Sequence, residues 1–566
     1  MRIPVTKLLA VIAIFVFSGW NETAQAQTIA TGFHEAFRVK PDASLIGAWD
    51  ILAGFDFDKD GKKEFIWLED PTLSGGTTTP EATWGIHYWE NDGDNNYVER
   101  WSWRPTDVQT GNRFYPCFTV GDVDEDGLVE LYFGSPADQT ANAGKAVPRL
   151  YVFEHDGANF PAAPQESWAV DRPAGFYYGT SSLNIADVDN DGDQEIIMTS
   201  RRDSFGGSIG SEGGRTLLIA NAAGSEIGFG LADFEIEFAD SSSVLKGGAV
   251  YDAYVTDFDK SGKPEVWVFT WDMVSWAIYE ATGPNAYRLV NDVDRATEPN
   301  DEGERRGVQF VDMNKDGKLE MFVSTISGDG DPPTFVHVVE SPANVSTLTT
   351  ANFRKLGGNY LDCGGSAFGD LDGDGLMDFL FPANTSGAKD KIIRLEYKGS
   401  GSLSDSTSYT WSVLYEDNVG ITDLRNIAIA DLDGDNRMDI LLTTLDVTDA
   451  NEGVVVILES DVTSGVKDSP AGAPASFSLA QNYPNPLRTS SPNAATMIEF
   501  ELTKPEHVVV TLYDMSGREI GKLLDRQMAA GKWRIPFDGK ALPAGAYFYQ
   551  LKAGDFRAAK KMVVVQ

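Results

Sequence analysis

Carboxylates recur in this chain at a spacing that could hold a metal ion. The pattern Asp-x-Asp-x-Asp-Gly-x-x-Glu/Asp occurs seven times, with local substitutions. The copies are DFDKDGKKE from Asp56, DVDEDGLVE from Asp122, DVDNDGDQE from Asp187, DFDKSGKPE from Asp257, DMNKDGKLE from Asp312, DLDGDGLMD from Asp370 and DLDGDNRMD from Asp431. In a tight loop, side chains at positions 1, 3 and 5 can converge, and the carbonyl of position 7 and the carboxylate of position 9 can complete the shell. Oxygen ligands at this density suit Ca²⁺ rather than Zn²⁺.

The predicted ligands are the residues at these five positions of each copy, with position 7 contributing its backbone carbonyl. They are Asp56, Asp58, Asp60, Lys62, Glu64, Asp122, Asp124, Asp126, Leu128, Glu130, Asp187, Asp189, Asp191, Asp193, Glu195, Asp257, Asp259, Ser261, Lys263, Glu265, Asp312, Asn314, Asp316, Lys318, Glu320, Asp370, Asp372, Asp374, Leu376, Asp378, Asp431, Asp433, Asp435, Arg437 and Asp439. Ser261 and Asn314 replace acids, so we expect the fourth and fifth sites to be the weakest. Up to seven structural Ca²⁺ ions are predicted, and their binding should couple to the folding of each loop, because a metal-free cluster repels itself.

The flanks of these motifs exclude an EF-hand, which needs a glutamate at position 12 and a helix on each side. Position 12 is apolar in every copy, as Trp67 and Met198 illustrate. Each loop is followed by a short segment of β-branched, aromatic or other apolar residues, such as EFIWLE or EIIMTS, which is typical of a strand. Each motif is therefore predicted to be a strand–loop–strand corner. Glycine at position 6 permits a sharp turn, and Asn436 takes that place in the seventh copy.

The repeat also predicts the architecture. Successive motifs lie 55 to 70 residues apart, which leaves room for a third and a fourth strand in each unit. Seven units of four strands predict an all-β fold, a seven-bladed β-propeller, with an open solenoid as the alternative. After the seventh motif only a third strand follows, at Gly453–Val462. We therefore expect Phe33–Lys40 to complete the last blade and close the ring, which removes an open edge.

At this point the motifs resemble a known family. The segment SAFGDLDGDGLMDFLF (Ser366–Phe381) is similar to FG-GAP/VCBS repeats, and the resemblance extends over roughly residues 30–463. It implies the calcium-binding propeller found in integrin α subunits and in many bacterial surface proteins. The resemblance is specific for fold and calcium and says little about activity, since a fold does not fix a function.

The sequence predicts four segments along the chain. Residues 1–26 are interpreted as a signal peptide, because positive residues precede the apolar run Leu8–Trp20 and a small-x-small cleavage site follows it. The propeller is assigned to residues 27–463 and a linker rich in small residues to 464–476. Residues 477–566 are predicted to form a small antiparallel Ig-like β-sandwich. No membrane span is expected in the mature chain.

The last domain also resembles a known family, the C-terminal sorting domain of type IX secretion. The matching segments are NYPNP (Asn482–Pro486), VVVTLYDMSGREI (Val508–Ile520), LPAGAYFYQLKAG (Leu542–Gly554) and KKMVVV (Lys560–Val565). The resemblance implies recognition by the type IX secretion machinery, export through the periplasm, and then release or attachment at the outer cell surface. An ordinary Ig-like binding module is the alternative.

Composition narrows the function further. A formal net charge of −39 and a pI near 4.4 argue against nucleic acid or an anionic membrane as partner. The two cysteines, Cys117 and Cys363, are more simply read as separate buried thiols than as a disulfide framework. The GGSIG segment at Gly206–Gly210 lies in a glycine-rich loop rather than on a strand-to-helix elbow, so no catalytic residue is predicted.

The leading hypothesis is a secreted or surface-displayed calcium-stabilised propeller that binds an extracellular protein or polysaccharide. One alternative is a carbohydrate-active enzyme, such as a polysaccharide lyase, built on the same scaffold. A cluster of Arg, Lys, Tyr or His side chains in a deep pocket would favour the enzyme. A structural subunit of a surface layer or filament is the second alternative.

Overall fold

The computed structural model places the described residues in two compact units, which meet in sequence between Thr463 and Ser464. In the first unit the described residues are 28–40, 47–69, 84–105, 117–123, 128–134, 150–168, 179–201, 216–221, 235–240, 250–270, 276–293, 304–326, 334–360, 362–363, 365–384, 390–416, 423–445 and 453–462. In the second they are 478–479, 485, 487–488, 495–502, 506–515, 518–528, 531–538, 542–543, 545–554 and 556–565. The predicted signal peptide and the whole of the predicted linker, residues 464–476, lie outside these ranges.

Strands dominate the first unit. They are β1 (Thr28–Ile29), β2 (Phe33–Val39), β3 (Ala48–Phe55), β4 (Glu64–Glu69), β5 (Ile86–Gly93), β6 (Asn96–Trp103), β7 (Cys117–Gly121), β8 (Glu130–Gly134), β9 (Leu150–Glu154), β10 (Glu166–Trp168), β11 (Gly179–Ala186), β12 (Glu195–Arg201), β13 (Thr216–Asn221), β14 (Glu235–Asp240), β15 (Val250–Thr256), β16 (Glu265–Thr270), β17 (Trp276–Gly283), β18 (Ala286–Val293), β19 (Glu304–Val311), β20 (Glu320–Ile326), β21 (Thr334–Glu340), β22 (Arg354–Tyr360), β23 (Asp362–Cys363), β24 (Ala367–Gly369), β25 (Asp378–Asn384), β26 (Lys391–Tyr397), β27 (Tyr409–Glu416), β28 (Asp423–Ala430), β29 (Asp439–Leu445) and β30 (Val455–Ser460). Short 3-10 helices occur at Val345–Thr347, Thr350–Asn352 and Ser406–Ser408.

These strands form seven antiparallel sheets among the described residues. Sheets 1 to 5 are β3–β6, β7–β10, β11–β14, β15–β18 and β19–β22, each paired in chain order. Sheet 6 combines β23 to β27 with β1, and sheet 7 has the order β2-β30-β29-β28. The predicted all-β, propeller-like fold is confirmed, because repeated four-stranded antiparallel sheets follow one another along the chain.

Hydrophobic packing links the sheets in a closed cycle. Seven clusters of buried side chains each join two consecutive sheets, and the cluster containing Phe65 and Ile457 joins sheet 7 back to sheet 1. The second strand of each sheet is therefore covered on both faces. This explains why β4 and β29 are buried along their whole length and lack the alternation of a half-exposed strand.

The first and last strands of the unit pair with each other. In β2, Phe33 lies opposite Ser460 of β30, and Val39 lies opposite Val455. The predicted completion of the last sheet by the N-terminal strand is confirmed, and an open solenoid is thereby excluded. The short strand β1 was not anticipated, and it pairs with β27 at the outer edge of sheet 6.

The second unit contains two sheets that share one core. Its strands are β31 (Ser478–Leu479), β32 (Leu487–Arg488), β33 (Ala495–Leu502), β34 (Glu506–Asp514), β35 (Glu519–Met528), β36 (Gly531–Asp538), β37 (Gly545–Ala553) and β38 (Phe556–Val565). One sheet has the order β31-β33-β36 and the other β32-β38-β37-β34-β35, and buried residues of both form a single cluster. The Ig-like assignment of this unit stays a prediction.

Asparagine from the NYPNP segment holds the start of this unit to its last strand. The Asn485 Nδ2 atom donates to the Lys561 carbonyl at 3.0 Å, and the Val563 N–H donates to Asn485 Oδ1 at 2.9 Å. Across the described parts of both units, no helix has the length and apolar character that a membrane-spanning helix needs.

Candidate metal centres

Each acidic motif turns the chain from the first strand of a sheet into the second. Position 9 of the motif is the first residue of that second strand in all seven copies, from Glu64 in β4 to Asp439 in β29. Since the two strands are paired antiparallel, the loop is a corner at one end of the sheet. The predicted strand–loop–strand arrangement is confirmed.

The position-9 carboxylate, on the second strand of the sheet, holds the loop in place through a hydrogen bond. One of its oxygens accepts the backbone N–H of position 2 in every copy, with donor–acceptor distances between 2.7 and 3.0 Å. These carboxylates are buried, and the most exposed of them, Glu320, has a relative exposure of 3 %. A buried anion that accepts a backbone hydrogen bond ties the loop to the strand, and it needs further compensation for its charge.

Backbone hydrogen bonds shape the rest of the loop. In the third copy the Gly192 N–H donates to Asp187 Oδ2 at 3.2 Å, and the Asp191 N–H donates to Asp189 Oδ1 at 3.1 Å. The same pattern holds in the fourth copy, where Ser261 Oγ accepts the N–H of Lys263 at 3.3 Å in place of a carboxylate. Short polar side chains at positions 1, 3 and 5 therefore build a series of turns that aims them inward.

Two positions of the loop adopt positive φ. Position 6 was expected to do so, and Gly192 (φ 106°) and Asn436 (φ 68°) confirm it. Position 4 does so as well, and in three copies that residue is a lysine, such as Lys59 with φ 62°. A lysine gains nothing from this conformation, so the closure of the loop imposes it.

The loops bring the predicted ligands together. One carboxylate oxygen from each of Asp56, Asp58, Asp60 and Glu64 lies within 4.8 Å of the other three. The same is true in the third copy and for three acids each of the fourth and sixth copies, namely Asp187, Asp189, Asp191 and Glu195, then Asp257, Asp259 and Glu265, then Asp370, Asp372 and Asp374. In the second copy, Asp124 and Asp126 lie outside the described residues.

Several of the inward-facing oxygens have no hydrogen-bond partner. Both Asp187 Oδ1 and Glu195 Oε1 are buried without one, and the same holds for Asp257 Oδ1 and Glu265 Oε1. Glu64 Oε1 is in the same state. Buried carboxylate oxygens left without a donor are costly, and two of them facing one loop centre fit the donor set of a hard cation.

Electrostatics point the same way. Burial, followed by repulsion from neighbouring carboxylates, raises the pKa of Glu64, Glu195 and Glu265 to about 8 each. The pKa of Asp439 is also raised to about 8, for the same reasons. A bound cation would favour the ionised form and so would be taken up with release of protons.

Acids on the third strand add to this negative charge. Glu280 lies directly opposite Glu265, Glu340 lies opposite Glu320, and Glu459 lies opposite Asp439. Like charges directly opposite each other in an antiparallel pair are destabilising. Sequence reasoning missed these residues, although their third-strand registers carry the signal once the pairing is known.

The third and seventh loops also contact the next sheet. The Asn285 N–H, at the tip of the β17–β18 hairpin, donates to Asp189 Oδ2 at 2.6 Å. Sheet 1 does the same to the seventh loop, where the Asn95 N–H donates to Asp433 Oδ2 at 3.3 Å. In these two loops, position 3 therefore serves its own loop with one oxygen and the neighbouring sheet with the other.

The end of sheet 1 opposite its acidic loop holds a different polar cluster. His87 Nδ1 lies 2.7 Å from Glu99 Oε1, and its Nε2 atom lies 3.4 Å from the buried Glu69, which also accepts from Arg104. The imidazole stacks on Trp67 with ring centroids 4.1 Å apart. The two glutamates outweigh the effect of burial, so the pKa of His87 is raised.

The other residues discussed from sequence are placed as follows. Cys117 is a buried free thiol, in line with the preferred interpretation of the cysteines. The side chain of Cys363 and the GGSIG loop lie outside the described residues.

The acidic loops on a cycle of antiparallel sheets define an all-β repeat protein, and comparisons with known proteins identify its parts. Residues 370–442 match the model of the FG-GAP-like repeat, and residues 481–565 match the secretion system C-terminal sorting domain. Both predicted resemblances are confirmed. The sorting domain indicates export through type IX secretion to the cell surface or extracellular space, and it implies interaction with that machinery.

Solved structures give only distant likenesses. An exotype rhamnogalacturonan lyase is 14 % identical with a TM-score of 0.44, over 76 % of this chain and 76 % of that one. A rhamnogalacturonan lyase of Bacillus licheniformis is 14 % identical with a TM-score of 0.41, over 77 % and 76 %. PorZ, described as a bacterial surface component of the type IX secretion system of Porphyromonas gingivalis, is 11 % identical with a TM-score of 0.25, over 89 % and 69 %. No curated protein matches the sequence.

Proposed function

We propose that this exported protein is a calcium-stabilised ring of sheets that binds an extracellular protein or polysaccharide. The observation that carries the calcium part is the pair of buried, partnerless oxygens of Asp187 and Glu195, facing one loop in a protein of net charge −39. The same pair recurs in the fourth loop as Asp257 and Glu265.

The motif positions have different roles within each loop. Positions 1, 3 and 5 offer carboxylate or amide oxygens and already hold the turns by accepting backbone N–H groups. Position 9 offers a buried oxygen while it anchors position 2. A bound Ca²⁺ would supply the positive charge that these oxygens lack and would hold the loop closed.

Binding of a partner is supported by export and by architecture. The sorting domain brings the chain to a location where its ligands are extracellular. A cycle of packed sheets presents loops at both ends from a rigid scaffold, which is the usual way in which β-folds present binding residues. Calcium would then act on partner binding indirectly, by fixing the loops at one end.

The test uses the full-length chain in two steps. First, the melting temperature is measured after chelation and during titration with CaCl₂, with MgCl₂ as the control cation. We expect a saturable rise with calcium that magnesium does not reproduce, because Mg²⁺ demands tighter octahedral geometry. Equal melting temperatures with and without calcium would overturn the calcium part.

Second, the protein is screened against arrays of glycans and of extracellular proteins, with calcium and with chelator. We expect binding to one ligand class that weakens when calcium is removed. Absence of any ligand in the calcium-loaded state would argue against the partner-binding role.

A second candidate function is a carbohydrate-active enzyme, favoured by the cluster of His87, Glu69, Glu99 and Arg104 in sheet 1. An imidazole held between two carboxylates with an adjacent guanidinium is a suitable arrangement for proton transfer near an acidic sugar. Incubation with uronate-containing polysaccharides should then release unsaturated or reducing ends, and the variant His87→Gln should abolish this. No product from such substrates would remove the candidate.

A further inference from the structure

The sixth acidic loop differs from the others because an arginine reaches into it. Arg394, on β26, donates from Nε to Asp378 Oδ1 at 2.6 Å and from Nη2 to Asp378 Oδ2 at 3.1 Å. The same Nη2 atom donates to Asp372 Oδ2 at 2.6 Å. The guanidinium thus bridges positions 3 and 9 of the motif, two of the predicted metal ligands.

This arginine is buried and also neutralises the third strand. Its side chain is only 12 % exposed, and it lies 3.8 Å from Glu396, the acid directly opposite Asp378. One guanidinium therefore compensates three carboxylates, with the paired donor geometry that makes arginine–carboxylate contacts strong.

The sheet register shows that the arginine is specific to this loop. Arg394 lies opposite Leu380, which is two residues after position 9. In the other six sheets the residue in that place is apolar: Tyr88, Val152, Ile219, Ile278, Val338 and Ile457. At this register position, sheet 6 is the one that carries a positive charge.

The oxygens of position 9 show the consequence. Glu64, Glu195, Glu265 and Asp439 each keep one buried oxygen without a partner, whereas both oxygens of Asp378 accept from Arg394. In the loop that most resembles the family pattern in sequence, an arginine therefore occupies part of the predicted donor set. Asp370, Asp372 and Asp374 still converge there, yet Asp372 also gives one oxygen to the guanidinium.

We propose that Arg394 is the resident cation of the sixth loop, so that this corner stays closed without Ca²⁺. The inference rests on the proposed calcium binding only for its comparison with the other loops. It reduces the number of calcium ions that the ring takes up, and it makes one corner independent of the external calcium concentration.

The experiment compares Arg394→Gln with the matched control Arg288→Gln in the full-length chain. Arg288 also pairs with a third-strand acid, Glu280 at 3.3 Å, but its side chain is 62 % exposed. For each protein, bound calcium is counted by native mass spectrometry at saturating CaCl₂, and the melting temperature is measured in chelator.

We expect Arg394→Gln to bind one Ca²⁺ more than the wild type and to melt at a lower temperature in chelator, with recovery on addition of CaCl₂. Arg288→Gln should match the wild type in both measurements. If Arg394→Gln does not fold, Arg394→Lys tests the same idea, since it retains the charge and should keep the wild-type count. A gained ion in the lysine variant would overturn the inference.

An unchanged calcium count together with an unchanged melting temperature in Arg394→Gln would also overturn it. A wild-type chain that binds no Ca²⁺ would instead overturn the proposed function. In that case the role of Arg394 is judged from the melting temperature in chelator alone. A lower melting temperature in Arg394→Gln, but not in Arg288→Gln, supports that role.

Discussion

Asn95 and Asp433 are 338 residues apart in sequence, and the backbone N–H of the first donates to the Oδ2 atom of the second at 3.3 Å. The contact joins the hairpin of sheet 1 to the loop of sheet 7, where the cycle of sheets closes. The side chain of Asn95 reinforces it by donating to Glu459 Oε1 at 2.9 Å. Contacts of this kind make the third and seventh acidic loops part of the boundary between two sheets.

The equivalent contact in the third loop predicts a position-specific effect in metal-free protein. Asp189→Ala removes the acceptor of the Asn285 N–H, whereas Asp191→Ala removes one negative charge from the same loop without touching sheet 4. We expect Asp189→Ala to be less stable than Asp191→Ala by about 1.5–3 kcal/mol, as for a lost hydrogen bond to a charged group. Urea unfolding in chelator measures the difference, and equal stabilities would contradict the prediction.

At position 9, the effect of the negative charge on stability can be separated from the effect of the hydrogen bond. Glu195→Gln keeps an oxygen that can accept the Val188 N–H but cannot carry a negative charge. In chelator we expect this variant to be at least as stable as the wild type, because the buried charge is gone. In CaCl₂ it should show a smaller gain in melting temperature.

Glu195→Ala is the companion variant for that experiment. It also leaves the Val188 N–H without its acceptor, so it should lose about 1–3 kcal/mol of stability even in chelator. Differential scanning calorimetry of the two variants with and without CaCl₂ checks both statements. An undiminished calcium response in Glu195→Gln would show that this oxygen is not a ligand.

A half-buried acid outside the loops predicts a pH dependence. Asp50, on β3, accepts from the Ile51 N–H at 2.8 Å and from the Asn426 side chain, and it faces Asp252 and Arg425. Burial raises its pKa to about 7. The folded protein therefore holds a proton that the unfolded chain releases near pH 4, so this group lowers stability as pH rises from about 4 to about 7.

Asp50→Asn should remove that contribution, since the amide does not ionise. We expect Asp50→Asn to have a higher free energy of unfolding than the wild type at pH 8. The difference should be smaller at pH 5, and chemical unfolding at the two pH values measures it. Asp92→Asn, at an exposed position of sheet 1, is the control and should show no such difference. A gain that is the same at both pH values would contradict the assignment.

Ring closure can be tested covalently. Arg38 of β2 lies directly opposite Val456 of β30. Cysteines at both positions should form a disulfide under mild oxidation, because directly opposite residues of an antiparallel pair bring their Cβ atoms to about 4.5–5.5 Å. Peptide mapping without reduction detects the bond. The single variants Arg38→Cys and Val456→Cys are the controls, and a double variant that stays reduced would argue against this register.

Sequence reasoning reached the parts of this structure that depend on local spacing. The motif around Asp187 fixed a corner, an inward-facing set of oxygens and the strand that starts at Glu195, since all lie within nine residues. The pairing of β2 with β30 was also predictable, because the last repeat lacked a strand and the first residues supplied one. Both inferences need only the order and spacing of residues along the sequence.

Contacts that depend on register between strands could not be predicted. Arg394 is 16 residues from Asp378, and its sequence context shows only a residue of a predicted third strand. Only the pairing of β25 with β26 brings its guanidinium to the loop. The positive φ of Lys59 was missed for a different reason. Asn190, Gly373 and Gly434 take the same motif position in other copies and favour this conformation, but the lysines at that position conceal the signal when the copies are considered singly. The strand β1 is too short for its pattern to show.

The pairing of β30 between β29 and β2 has a mechanical consequence for a chain held by its C-terminal unit. Tension applied to the residues after Ser460 acts on a strand flanked by partners on both sides rather than on an edge. Extraction of that strand requires two ladders of backbone hydrogen bonds to shear together. A protein tethered in flowing medium would therefore resist unravelling at the point where the tether enters the ring.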